Sequence, residues 1–105
     1  MTDIVSSAQK DVEAKRELAK RLMEEETDEK KANAVSLLED CVAIGDPDSM
    51  LMLGKCCALG RGMEQNVERA KVLLSESAKK GNSEAQFLMK IITSFQGEEN
   101  IVFHG

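Results

Sequence analysis

The chain has neither tryptophan nor tyrosine, only one proline and one histidine, and no apolar run approaching the ~20 residues that a membrane-spanning helix needs. With so little proline and no long Gly/Ser tract, nothing reads as a linker or as disorder. The N-terminus lacks the basic start and apolar core of a secretory signal. Basic clusters are missing as well. Lys and Arg number 14 against 19 Asp and Glu, a net charge of −5, which speaks against nucleic acid as a partner because phosphate binding needs clustered cations. Residues 1–45 hold 11 acids and 7 bases, and most of that excess is the run Glu24, Glu25, Glu26, Asp28, Glu29, which reads as a solvated turn.

Chemistry is equally thin. Structural zinc needs thiolates paired at C-x2-4-C spacing, and Cys41, Cys56, Cys57 and His104 offer no such pair. Cys56 and Cys57 are adjacent, so on a helix their side chains point about 100° apart and do not bridge easily. An odd cysteine count without a disulfide framework fits a reducing compartment, and a cytoplasmic location is expected. A catalytic cysteine needs a fixed base, whereas the lone histidine lies within the last two residues. Acid pairs such as Glu39 and Asp40 face different ways and have no apolar pocket to raise a pKa. Gly60 and Gly62 lack the strand before and the Lys-Ser/Thr after that a phosphate loop requires. The six methionines read as core filler. No enzyme activity, metal or cofactor is expected.

What is present is helical periodicity over nearly the whole length. Ile4, Val5, Ala8, Val12, Leu18, Ala19, Leu22 and Met23 predict a helix from about Asp3 to Glu25, overhanging or capping the rest; a dimerising coiled coil is the alternative. Thr27 and Asp28 cap a second helix that runs to Ile44 and stops at Gly45. Asp46-Pro47 starts a third, Pro47 to Leu59, apolar almost all round and therefore central. Asn66 caps a fourth, Val67 to Lys80, and Asn82 a fifth, to about Phe95. Residues 98–105 show no helical period, and Ile101, Val102 and Phe103 are expected to fold back in extended form over the fifth helix or to exchange with a second copy, the alternative being a frayed tail of a longer array whose next helix does the covering. Leu53, Cys57, Leu73, Leu74, Ala78 and Ala85 are the expected core.

The pattern repeats. Ala34, Leu37, Leu38 and Gly45 recur as Ala70, Leu73, Leu74 and Gly81 after 36 residues, a period typical of stacked helical hairpins. Ser49, Leu53, Gly54, Gly60, Gly62, Ala70, Ala78 and Gly81 fall without a gap on the Sel1-like repeat pattern A-x3-LG-x2-Y-x2-G-x-G-x3-D-x3-A-x7-A-x2-G, which this stretch resembles. Ser49, Cys57 and Asn66 replace the family's Ala, aromatic and Asp. Upstream, Leu18, Ala19 and Leu22 match Leu53, Gly54 and Cys57 with a shift of 35; downstream, Ala85, Gln86, Phe87 and Met89 restart the pattern with Lys90 in place of its glycine.

The resemblance implies an all-α fold, an α/α superhelix of antiparallel helical hairpins like tetratricopeptide repeats, in a single domain. Residues 1–45 would form a long helix plus a degenerate repeat, 46–81 a full repeat, and 82–105 a partial repeat and tail. It implies a non-catalytic adaptor or scaffold whose concave side, lined by the first helix of each hairpin, binds a peptide or helix of a partner protein. On this chain that side carries Asp48, Leu51, Met52, Lys55 and Leu59, then Glu84, Phe87, Leu88, Ile91 and Phe95, apolar anchors mixed with isolated charges. The competing expectation is a self-associating structural domain, a homodimer through the C-terminal tail or the N-terminal helix.

Overall fold

The computed structural model describes the backbone of residues 2–104 and the side chains of residues 9–94. Among them are five helices and no strand: α1 (Thr2–Met23), α2 (Asp28–Ile44), α3 (Pro47–Leu59), α4 (Val67–Lys79) and α5 (Ser83–His104). Local chemistry fixes most of the boundaries. Thr27, Asp46 and Asn66 each accept the backbone N–H three residues on, and so begin α2, α3 and α4. Gly45 ends α2 at φ 96° and Gly60 ends α3 at φ 70°, conformations that cost any other L-residue a steric penalty.

The 36-residue period in the sequence reappears as recurring hydrogen bonds. Gly45 N–H donates to the Val42 carbonyl and Asp46 N–H to that of Cys41; 36 residues on, Gly81 donates to Ala78 and Asn82 to Ser77. Asp46 then accepts from Ser49 N–H at 3.0 Å, and Asn82 from Ala85 N–H at 2.8 Å. A second correspondence joins the helix interiors. The Ser77 hydroxyl donates to the Pro47 carbonyl at 2.7 Å, and the Cys41 thiol, at the equivalent position of α2, points at the Val12 carbonyl at 3.7 Å.

Each helix packs on its neighbours in sequence, α1 on α2 through to α4 on α5. The main core takes Ala19 from α1, Ala34, Val35 and Leu38 from α2, Met50, Leu53, Cys56 and Cys57 from α3, and Ala70 and Leu73 from α4. A smaller cluster of Leu51, Leu74 and Ala85 seats α5. Five of the six expected core residues, Leu53, Cys57, Leu73, Leu74 and Ala85, are buried, while Ala78 is half-buried at the edge of the smaller cluster. At Gly54, α3 lies close against α4. A Cβ on Gly54 would lie 3.1 Å from two carbons of Leu74, so the bare glycine sets how close these helices come.

Residues 98–104 differ from expectation. They continue α5 as helix and do not run back in extended form. Gly97 was the only breaker, and a single glycine costs a helix about 1 kcal/mol, too little to stop one flanked by good helix formers. The side chains of Ile101, Val102 and Phe103, and with them the question of what they cover, lie outside the described residues.

Two glycines separate the cost of backbone conformation from the cost of contact. Gly81 has φ 100° and open space around its would-be Cβ, so Gly81→Ala is expected to lower unfolding free energy by about 1–2 kcal/mol. Gly62 has φ 71°, and its Cβ would stand 2.5 Å from the Lys31 backbone carbonyl, which has no flexible end to move aside. Urea titrations should therefore find Gly62→Ala clearly the more damaging; equal losses would mean that the turn does not press on α2.

Candidate partner-binding site

On α3 Asp48, Lys55 and Leu59 are exposed and Met52 is half-buried against the main core; the four recur at the three- and four-residue steps of one helix face. That face forms the floor of two adjoining clefts. One, of about 310 Å³, is lined by Arg16 and Lys20 of α1, by Asp48, Leu51, Met52 and Lys55 of α3, and by Glu84 of α5. The other, of about 170 Å³, has Met23, Leu38, Met52, Cys56 and Leu59 as its apolar lining, with Lys55 and Arg61 as its charges. Met52 and Lys55 belong to both, so the two form one groove along α3 between α1 and α5.

Six of the ten residues expected to meet a partner are therefore brought together: Asp48, Leu51, Met52, Lys55, Leu59 and Glu84. Leu51 is only 7 % exposed and belongs to the cluster that seats α5, so it supports the floor and offers little surface. Leu88 is half-buried against the same cluster. Phe87 and Ile91 are exposed on α5 and line neither cleft, and the side chain of Phe95 lies outside the described residues. Sequence reasoning missed Arg16, Lys20, Met23 and Arg61. A signal for two of them existed: the 35-residue shift that superposes Leu18 and Ala19 on Leu53 and Gly54 also superposes Arg16 and Lys20 on Leu51 and Lys55.

Ion pairs tie the odd-numbered helices together at the groove. Arg16 donates to Asp46 at 2.8 Å and lies 3.8 Å from Asp48. Lys55 meets Glu84 at 2.9 Å, with both side chains about half exposed, a pairing worth at most ~1 kcal/mol that a partner can displace. Arg69 of α4 grips both oxygens of Glu39 of α2, a two-pronged contact that joins the even-numbered helices and lines neither cleft. Arg61 donates to the Met23 carbonyl at 3.2 Å and makes no ion pair among the described residues.

The thiols offer little reactivity. Burial pushes both Cys56 and Cys57 up from the ordinary thiol range, so neither is a thiolate at neutral pH. Their sulfurs rest against methionine, Cys56 against Met23 at 4.0 Å and Cys57 against Met63 at 3.5 Å. Among the described residues no three His, Cys, Asp or Glu side chains are grouped to hold a metal ion, and no buried side-chain nitrogen or oxygen lacks a partner.

Asp46 anchors the start of α3 and, through Arg16, its contact with α1. Burial disfavours its charge, but hydrogen bonds from the Ser49 hydroxyl, Arg16 and the Ser49 N–H outweigh that and hold its carboxyl below the usual range. A depressed carboxylate contributes stability that is present above the unfolded pKa of about 3.9 and is lost as pH falls through the folded value. Asp46→Asn keeps the cap but loses the charge, and should cost about 1–2 kcal/mol at pH 7. That difference from the parent chain should shrink in denaturant titrations below pH 4; a gap independent of pH would show that Arg16 and Asp46 are not coupled.

No helix among the described residues is long and apolar enough to cross a membrane. Comparison with protein-family models and with curated proteins finds no match to this chain.

Proposed function

We propose that the chain is a non-catalytic interaction module of Sel1-like helical hairpins, stacked as a right-handed superhelix, which holds a peptide or helix of a partner protein in the groove along α3. The observation that carries this reading is the groove itself: a mostly charged cleft between α1, α3 and the start of α5 that adjoins a mostly apolar one between the end of α1, α3 and Arg61. Such a surface suits an extended or helical ligand, which gains affinity from apolar anchors and register from flanking charges. The recurrence of the Gly45–Asp46 hydrogen bonds at Gly81–Asn82 supports the repeat reading independently of the groove.

Self-association is the second reading, and Phe87 and Ile91 favour it: they stand 61 % and 43 % exposed on the same helix, one turn apart. Lys55→Glu combined with Leu59→Asp separates the two. Both positions are exposed, so the cost to folding should stay at about 1–2 kcal/mol, mainly from the lost Lys55–Glu84 pair, while capture of the partner in a quantitative pulldown should be lost. Unaltered capture would sink the groove reading. A dimer in light scattering that Phe87→Ser converts to monomer would support the alternative.

A further inference from the structure

The smaller cleft carries a more specific message about the partner. Its volume, about 170 Å³, suits one large side chain, since a ~150 Å³ apolar cavity already accommodates benzene. Met23, Met52 and Leu59 supply a soft, adjustable apolar lining, with the buried Leu38 and Cys56 behind them. Leu59 is 67 % exposed in a position where covering it would remove apolar surface from water.

The charges around this cleft are all of one sign. Lys55 and Arg61 are its only charged lining residues, in a chain whose net charge is −5. Lys55 is already matched by Glu84. Arg61 is not matched: one of its nitrogens reaches the Met23 carbonyl, and no carboxylate lies within ion-pair distance among the described residues. The acid run begins one residue after Met23, yet the one ion pair it makes among the described residues is Glu25 with Lys30. Arg61 is thus fixed in place by a backbone contact, with hydrogen-bonding capacity to spare beside an apolar cleft.

We propose that this cleft takes a single large apolar side chain of the partner, and that a carboxylate next to that side chain in the partner pairs with Arg61. The partner segment is therefore an acidic-apolar peptide, with its anchor between Met23 and Met52. The inference rests on the groove being the partner site, and the test keeps the two claims apart. Because a folded chain of this composition has six methionines, the methyl resonances of Met23 and Met52 can report occupancy directly. The probes are nine-residue peptides with a central leucine flanked by Glu, Ser or Lys, titrated into the 13C-methyl-methionine protein.

The Glu-flanked peptide should shift Met23 and Met52 with an affinity about tenfold above the Lys-flanked one. Replacing its leucine by alanine should abolish the shifts. Arg61→Gln, which keeps a donor for the Met23 carbonyl, should erase the preference for Glu while leaving the methyl spectrum of the free protein in place. Equal binding of the three peptides would overturn the charge inference and leave the groove reading standing. No shift at Met23 or Met52 with any peptide up to millimolar concentration would overturn both.

Discussion

The close approach of α3 to α4 at Gly54 is the constraint on which the rest of this structure depends. With no side chain at that position, Leu74 and Leu73 of α4 come down onto the backbone of α3. The connection between the helices must then reverse within a few residues, and Gly60 and Gly62 accomplish this at positive φ. The turn so made presses the Gly62 backbone against that of Lys31, which positions α2. One missing methyl thus propagates through α4, the turn and α2. Leu53 and Cys57, on the Gly54 side of α3, become fully buried, and the opposite side of α3 is left for the groove.

Charge is distributed to match this division. Groups that organise helix starts are held tightly: Asp46 receives the Ser49 N–H and hydroxyl as well as Arg16, and Asn82, 36 residues on, donates to Asp48 at 2.8 Å. Groups on the groove rim are held loosely, by half-exposed pairs such as Lys55 with Glu84, which contribute at most about 1 kcal/mol. The apolar part of the surface follows the same logic. Methionine and leucine line the smaller cleft, residues that adapt to an incoming side chain without demanding a hydrogen bond.

Much of the fold was legible because it is written in local chemistry. Thr27, Asp46 and Asn66 declare helix starts, Gly45 and Gly60 declare ends, and the bounds of α2 and α3 follow from these residues alone. The far end of α5 was not legible, since Gly97 and the apolar Ile101 to Phe103 suggested a break where the helix simply continues. The resemblance grouped Asp48, Met52, Lys55 and Glu84, which do line one groove. It misjudged Leu51, because α3 packs on more than one side and the period does not say which one seats α5. Met23 and Arg61 were invisible for a different reason. They meet across 38 residues through a turn whose geometry no spacing rule describes.

The most direct test of the account is where a bound partner protects the backbone. Amide hydrogen exchange, compared between the free chain and its complex, should show added protection along the exposed faces of α1 and α3, at the turn around Arg61 and in the first turn of α5, with α4 unchanged and α2 altered at most beside Leu38. Protection concentrated on α2 and α4, the side joined by Glu39 and Arg69, would contradict it.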